Sequence, residues 1–376
     1  MKSLSGFIED NREGLIELLR ELCHICAPSG DEWRRSEYCL RWYKERGLTD
    51  AYVDAVGNVV LPYQCDESND ITVVAAHLDT VFPDIEPMPV REENGRLYSP
   101  GVGDDTASVA VLMHTALYFA KAGMKADGGI LFVCNTGEEG LGNLIGVRRI
   151  FKDYEGRVKR FLTLDADFSV ICDRSVGSHR YKVEVRTEGG HSYGCFGSRN
   201  AIDLLSSVVK DIYSIVPPAK ENTKTTYNVG IINGGTSVNT IAEEAHMLCE
   251  YRSDDVDCLE KMEKSFKEIF ERHTSEAKTF TVELVGDRPC DRCVDKNEQE
   301  RMARLVERNV KQITGVCPKR YSMSTDCNIP RSLGIPAICF GVYHGEGAHT
   351  RGEWVELDSL SVGLELAVSV VSELTL

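Results

Sequence analysis

The feature that most constrains the fold of this chain is a rhythm of strands and helices that changes once and then returns. Early apolar runs typical of buried strands alternate with helical segments, for example the β-branched run 71–76 before a helical pattern over 106–122. Such alternation predicts a largely parallel sheet covered by helices. From about residue 178 to 288 the predicted order is instead β-α-β-β-α-β, the ferredoxin-like unit, which closes a core of its own.

We therefore predict an α/β protein with a second domain inserted into the first. Residues 1–177 and 289–376 are expected to form a helix-covered, largely parallel but mixed sheet domain, and residues 178–288 an inserted ferredoxin-like α+β domain. The length of 376 residues supports two domains, because a single hydrophobic core rarely grows beyond about 250–300 residues.

Charge and composition exclude several classes of partner. The net charge is −16 and the chain has no long basic run, so we expect no nucleic-acid partner, since phosphate binding needs clustered Lys and Arg. We expect no membrane partner either, because no stretch approaches the roughly 18 apolar residues that cross a bilayer. The first residues do not resemble a signal peptide, and we interpret the 14 cysteines as free thiols of a cytoplasmic protein.

A histidine and an aspartate directly follow the apolar run 71–76. In an extended chain His77 and Asp79 point to the same side. A carboxylate beside an imidazole suits a metal ligand held in one tautomer, although a lone histidine at a strand end is also common.

Further acidic and imidazole groups stand near glycines or at strand ends. They are Asp104 and Asp105, Glu138 and Glu139, Asp165 and Asp167, and His344 and His349. Taken singly, the paired acids are also compatible with helix capping or a solvated surface. Taken together, carboxylates and imidazoles are the ligands of a two-zinc centre, where three carboxylates and one hydroxide balance the charge of two Zn²⁺.

These clusters resemble the peptidase T/aminoacylase/acetylornithine deacetylase family of co-catalytic zinc metallopeptidases. The resemblance covers almost the whole chain, in motifs that include His77–Thr80, Gly101–Asp105, Thr136–Gly140, Gly189–Ser192, Gly234–Thr240, Tyr251–Ser253, Ser324–Asn328 and His349–Glu353. The family often has Lys where this chain has Thr106, which leaves the proposed ligands unchanged.

The resemblance implies a role for each matching residue. His77 and Asp165 would bind one ion, Glu139 and His349 the other, and Asp104 both, with Asp167 a rival of Asp165. The ions would be two Zn²⁺, with Co²⁺ or Mn²⁺ as alternatives. Other implied roles are a general base at Glu138, an orienting carboxylate at Asp79, and substrate contacts at His191, Asn239 and Arg252. The Asp104–Asp105 peptide is expected to be cis.

The implied activity is hydrolysis of an amide bond in a small substrate. Asp165, where deacylases often have Glu, favours a di- or tripeptidase that releases a terminal amino acid. An N-acyl amino acid deacylase with the same site is the alternative, and a catalytically silent binding protein is a third hypothesis. The inserted domain is expected to act as a lid and as the surface of a homodimer.

Overall fold

The structure, a computed structural model, describes residues 3–66 and 68–376. The helices are α1 (Leu4–Cys23), α2 (Trp33–Glu45), α3 (Ser108–Ala122), α4 (Ile145–Asp153), α5 (Ala201–Ile212), α6 (Val256–Thr274), α7 (Lys296–Thr314), α8 (Asn328–Ser332) and α9 (Ser359–Thr375). The strands are β1 (Tyr52–Val53), β2 (Val59–Tyr63), β3 (Ile71–His77), β4 (Arg91–Glu93), β5 (Arg96–Tyr98), β6 (Gly129–Asn135), β7 (Val158–Leu164), β8 (Val170–Ser175), β9 (Gly177–Arg186), β10 (Gly190–His191), β11 (Thr225–Gly234), β12 (Thr240–Ile241), β13 (Glu244–Ser253), β14 (Thr279–Arg288), β15 (Lys319–Met323), β16 (Ala337–Phe340), β17 (Gly345–Glu346) and β18 (Trp354–Glu356).

The chain folds into two compact units. One comprises the residues up to Arg174 together with Arg292–Leu376, and the other comprises Ser175–Asp291. Each unit has its own hydrophobic core. Within the described ranges 3–66 and 68–376, no helix has the length and apolar character needed to cross a bilayer.

An eight-stranded mixed sheet organises the first unit. Its order is β1-β2-β6-β3-β7-β16-β8-β15, and the neighbours β6, β3, β7 and β16 run parallel. Every residue of β3 and β6 is buried, as expected for central strands covered on both faces. The predicted helix-covered, largely parallel sheet is confirmed.

Helix α3 shows how the sequence produces this packing. It is apolar on all sides, and every residue from Ser108 to Phe119 is buried, which is the expected position for such a helix. Gly123, with φ +60°, ends α3 in the left-handed conformation that glycine adopts without steric cost.

Residues 52–61 form the antiparallel hairpin β1–β2, and one predicted helix boundary needs correction. Asp54 causes the turn, because its Oδ1 accepts hydrogen bonds from the backbone N–H groups of Val56 (2.9 Å) and Asn58 (3.0 Å). The helix predicted from Thr106 begins at Ser108, since a wide helical turn with non-helical dihedral angles at Asp104 and Asp105 occupies 102–107.

A smaller sheet lies in the same unit. Its strands have the order β17-β18-β5-β4. This sheet was not expected from the sequence, because its strands are only two or three residues long. The loop between β17 and β18 carries His349 and Glu353.

The second unit has the predicted ferredoxin-like order. Its antiparallel sheet is arranged β11-β13-β9-β14, and α5 and α6 contribute to its core. In chain order this is the β-α-β-β-α-β pattern expected from the sequence. A two-stranded ribbon, β10 paired with β12, extends beyond the main sheet.

Candidate metal centre

The candidate ligands come from loops at one edge of the large sheet. Strands β3, β6, β7 and β16 run parallel, so their carboxyl ends lie at the same edge. β3 ends at His77, β6 is followed by the loop with Glu138 and Glu139, and β7 is followed by Asp165. The polar clusters that are distant in sequence therefore meet because of strand direction.

Asp104 stands between the two candidate histidines. Its Oδ1 is 3.1 Å from Nε2 of His77, and its Oδ2 is 3.0 Å from Nε2 of His349. The two oxygens of one carboxylate thus face two different imidazoles. The Asp104–Asp105 peptide is cis, which confirms the expectation from the sequence.

The remaining candidate ligands lie around these three. Oε1 of Glu139 is 2.9 Å from Nε2 of His349. Ligand atoms of His77, Asp104 and Glu139 lie within 4.8 Å of one another, and so do those of His77, Asp105 and Asp165. Asp105 also uses Oδ2 to accept the backbone N–H of His77 at 2.9 Å.

The geometry of this donor set fits divalent cations. Two ligands of one tetrahedral zinc lie about 3.3 Å apart when each bond is about 2.0–2.1 Å long. The nitrogen–oxygen separations at Asp104 and Glu139, 2.9–3.1 Å, are close to that spacing. The residues present therefore fit the implied metal ions.

The pKa values of the candidate ligands are also compatible with cation binding. Burial raises the pKa of Asp165 to about 7, and hydrogen bonds to Asp104 and Glu139 raise the pKa of His349 to about 11. Burial also opposes ionisation of Asp104, yet hydrogen bonds from His349 and His77 hold its pKa below the ordinary value. Carboxylates and imidazoles compete for protons here, and a divalent cation held by these residues would take the place of those protons.

The two rival aspartates have different surroundings. Asp165 lies with His77 and Asp105 in one of the two groups that could hold a metal ion. The Oδ2 atom of Asp167 instead lies 2.8 Å from Nδ1 of His344, and its Oδ1 accepts the backbone N–H of Ser169 at 2.8 Å.

Asp79 makes contacts beyond the one that the sequence suggested. Nδ1 of His77 is 3.0 Å from the backbone oxygen of Asp79 and 3.6 Å from its carboxylate Oδ1. The carboxylate, which is fully buried, accepts the backbone N–H groups of Glu138 (3.0 Å) and Glu139 (2.8 Å). The carbonyl of Asp79 is therefore the nearer partner of the imidazole.

Glu353 is a residue whose position the sequence reasoning missed. Its Oε1 accepts the backbone N–H groups of Gly103 (2.9 Å) and Asp104 (2.8 Å), and its Oε2 accepts that of Gly101 (2.7 Å). The only signal in the sequence was its place in the His349–Glu353 motif, which said nothing about a partner some 250 residues away.

Comparison with known proteins identifies the family. Residues 73–373 match peptidase family M20/M25/M40. The chain belongs to this family. The resemblance found in the sequence is therefore confirmed, and the protein is an M20-type hydrolase.

Individual relatives of this M20 protein include both peptidases and a deacylase. The acetylornithine deacetylase of Myxococcus xanthus is 25% identical over 84% of this chain and 83% of its own length. A tripeptidase from Staphylococcus aureus has a similar fold, with a TM-score of 0.75, 22% identity and coverage of 96% and 98% of the two chains. The YXEP protein of Bacillus subtilis, described as a dinuclear metal binding peptidase, has a TM-score of 0.66 and 13% identity over 97% and 99% of the two chains.

The inserted unit of this M20 chain brings two of the predicted substrate residues together. His191 lies on the β10–β12 ribbon, and the backbone N–H of Ser192 donates to the backbone carbonyl of Asn239 at 3.0 Å. Nδ1 of His191 accepts the backbone N–H groups of Tyr193 and Gly194, both at 3.3 Å. This arrangement leaves the proton of the neutral ring on Nε2.

Arg252 does not join this pair within the inserted unit. The ribbon adjoins β13 at Glu244, the first residue of that strand. Arg252 lies eight residues farther along β13, so roughly 26 Å separate it from the ribbon end of the strand. Its guanidinium instead pairs with both carboxylate oxygens of Glu250, at 2.8 and 3.0 Å.

Proposed function

We propose that this M20 hydrolase is a two-metal exopeptidase that releases a terminal amino acid from a di- or tripeptide. The observation that carries the proposal is the position of Asp104, whose two oxygens face two imidazoles, each in reach of a further carboxylate. This is the arrangement that a carboxylate shared by two ions requires.

Each ion has a proposed ligand set. His77 and Asp165 hold one ion, Glu139 and His349 hold the other, and Asp104 binds both. Zn²⁺ is the proposed metal, with Co²⁺ and Mn²⁺ as alternatives, because imidazole and carboxylate ligands suit all three. Asp167 is excluded from the proposed set since its carboxylate contacts His344.

The chain's own residues move the protons. Bound divalent cations polarise the scissile carbonyl and acidify water. Glu138, next to the ligand Glu139 and almost fully buried, accepts a proton from the attacking water as the new C–O bond forms. It then gives that proton to the amine nitrogen as the C–N bond breaks. We assign oxyanion stabilisation to His191, whose Nε2 carries the proton to donate.

Asn239 and Arg252 are the proposed contacts for the substrate's terminal carboxylate. Because roughly 26 Å of β13 separates Arg252 from the ribbon that carries Asn239, the two residues would have to come from the two copies of the proposed homodimer. Arg suits this role because its planar guanidinium pairs with a carboxylate through two parallel hydrogen bonds. In the structure the guanidinium of Arg252 makes such a pair with Glu250, so a substrate carboxylate would have to displace Glu250.

Deacylation of an N-acyl amino acid is the second candidate. The match to the acetylornithine deacetylase of Myxococcus xanthus over 84% of the chain favours it. Both reactions break an amide bond and need the same metals and base. The substrate's free α-amine separates them, because a peptidase recognises this group and a deacylase acts where it is blocked.

A matched panel of substrates tests the proposal. Unblocked di- and tripeptides are compared with the same compounds acetylated at the amine, and with N-acetyl and N-succinyl amino acids, in the presence of Zn²⁺ or Co²⁺. We expect higher kcat/KM for the unblocked peptides. Faster cleavage of any N-acyl amino acid than of every free peptide contradicts the peptidase proposal and leaves the metal centre standing.

The proposed assembly is a homodimer formed through the inserted unit, which would also serve as a lid. Strand β11 is an edge of the inserted sheet and exposes Ile231 (47%) and Ile232 (49%) to solvent. An exposed apolar edge strand is a ready surface for pairing with a second copy.

A further inference from the structure

The turn between α1 and α2 is joined to the end of β3. The backbone N–H of Thr80 donates to the carbonyl of Ala27 at 2.9 Å, and Pro28 forms a parallel bridge with Thr80. Arg35, fully buried, donates from one guanidinium nitrogen to the carbonyl of Leu78 at 2.7 Å. The turn is therefore fixed to the segment that carries His77 and Asp79.

Three consecutive backbone N–H groups in the loop after β6 donate hydrogen bonds to two buried carboxylates. The N–H of Gly137 donates to Oε1 of Glu32 at 3.1 Å. The N–H groups of Glu138 and Glu139 donate to Oδ1 and Oδ2 of Asp79 at 3.0 and 2.8 Å. Glu32 is only 6% exposed and Asp79 is not exposed at all, so water does not compete for these bonds.

The turn also orients the two carboxylates. The hydroxyl of Ser29 donates to Oδ2 of Asp79 at 2.7 Å, and the backbone N–H of Gly30 donates to Oε1 of Glu32 at 3.0 Å. Charge-assisted hydrogen bonds of this kind are about twice as strong as neutral ones. Glu32 thus holds the backbone next to Glu138 through Gly137, and Ser29 orients Asp79, which holds the backbone of Glu138 itself.

Backbone position decides where the carboxylate of a general base points. A base acts only within hydrogen-bond reach of the proton it removes, and a displacement of about 1 Å can lower the rate by about 10²-fold. Glu32 touches neither the candidate ligands nor, in this role, the substrate. Its effect on catalysis passes through Gly137 to Glu138.

We propose that Glu32 and Ser29 are positioning residues for the general base, Glu32 through Gly137 and Ser29 through the carboxylate of Asp79. The inference rests on the proposed role of Glu138. Both residues lie before residue 73, outside the part of the chain that matches the family.

The hydrogen bonds predict which substitutions are tolerated. Both N–H groups that reach Glu32 use the same oxygen, so the single carbonyl of Gln can accept them, whereas Met of similar size cannot. Asp79 differs because both of its oxygens accept N–H donors, so Asn must turn an NH₂ group toward one of them.

The test compares Glu32→Met and Glu32→Gln with Glu138→Gln and with Asp31→Ala, which removes the exposed acid next to Glu32. For each purified full-length protein, kcat, KM, bound metal and the melting temperature are measured. We expect Glu32→Met to lower kcat roughly 10- to 100-fold with metal content and KM near the parental values. Glu32→Gln is expected to recover most of that loss, and Asp31→Ala to match the parent.

The outcomes separate the inference from the proposed function. An active Glu138→Gln variant contradicts the proposed base and the inference with it. Two outcomes overturn the positioning role alone when Glu138→Gln is inactive. In the first, the kcat of Glu32→Met lies within threefold of the kcat of Asp31→Ala. In the second, Glu32→Gln has a kcat as low as that of Glu32→Met. If Glu32→Met does not fold, Ser29→Ala decides, because the inference requires a lower kcat at unchanged metal content.

Discussion

At the scale of single residues, Asp104 makes the most specific contacts of the candidate centre. Its carboxylate is shared between His77 and His349, at 3.1 and 3.0 Å. A terminal ligand serves one ion, whereas a shared carboxylate serves two. Substitution of Asp104 should therefore affect the binding of both ions, whereas substitution of any other proposed ligand should mainly affect the binding of one.

We predict that Asp104→Ala loses both metal ions, while His349→Ala mainly loses one. Elemental analysis of the purified proteins gives the metal content per chain, and Asp167→Ala is the matched control that should keep both ions. Retention of both ions by Asp104→Ala rules out the shared-ligand role, and loss of metal in Asp167→Ala instead of Asp165→Ala exchanges those two aspartates.

Glu138→Gln is predicted to lower kcat by about 10²–10⁴-fold, the usual contribution of a general base. Its metal content should stay at the parental level, because the neighbouring Glu139, and not Glu138, is the proposed ligand. Steady-state kinetics and elemental analysis on the same preparation check both points. A Glu138→Gln variant that has lost metal but keeps the parental kcat per bound metal ion would reverse the roles of the two glutamates.

Much of the candidate centre could be predicted at this scale, because the sequence places polar residues directly after apolar strands. His77, Asp104, Glu139, Asp165 and His349 were singled out because they belong to clusters that follow predicted strands or flank glycines, and the family resemblance then implied that they are ligands. In the structure, ligand atoms of the first four fall into two close groups, and His349 lies 3.0 Å from Asp104. Glu32 and Glu353 could not be found so, because each acts on a backbone N–H group far along the chain. Periodicity and spacing carry no information on such contacts.

At the scale of secondary-structure elements, the β17–β18 loop links one proposed ligand to another. His349 lies in this loop, and Glu353 at its end holds the backbone of Gly101, Gly103 and Asp104. Both oxygens of Glu353 accept backbone N–H groups. The amide of Gln in its place has only one oxygen, so its NH₂ group must face a backbone N–H group that also donates.

Glu353→Gln is accordingly predicted to weaken metal binding about 10- to 100-fold, the usual effect of losing a residue that orients ligands. Competition with a metal indicator dye measures the affinity. Glu356→Gln, an exposed change three residues away, should bind metal like the parent. Equal affinity in the two variants means that the Asp104 turn keeps its position without Glu353.

Short elements were the least predictable part of the fold. The strands of the small sheet are two or three residues long, too short for an alternating pattern to appear. The long buried strand β3 was predicted nearly to its end, because its composition is set by burial on both faces.

At the scale of the whole molecule, the assembly is open to a direct test. Ile232→Lys places a charge on edge strand β11 and is predicted to convert a dimer to a monomer without lowering the melting temperature. Light scattering after size exclusion measures the mass. Val282→Lys, on the opposite edge strand β14 and at a position 40% exposed, is the control and should stay dimeric. A monomeric parent protein, or dissociation by Val282→Lys alone, contradicts the proposed surface.

The central claim is that two metal ions held by His77, Asp104, Glu139, Asp165 and His349 are required for amide hydrolysis. It is tested most directly by removing metal with a chelator and titrating Zn²⁺ or Co²⁺ back while hydrolysis of a cleavable peptide is followed. We predict that the stripped protein is inactive and that activity returns and levels off at about two equivalents per chain. Hydrolysis at the parental rate by protein shown to be free of metal would contradict the account.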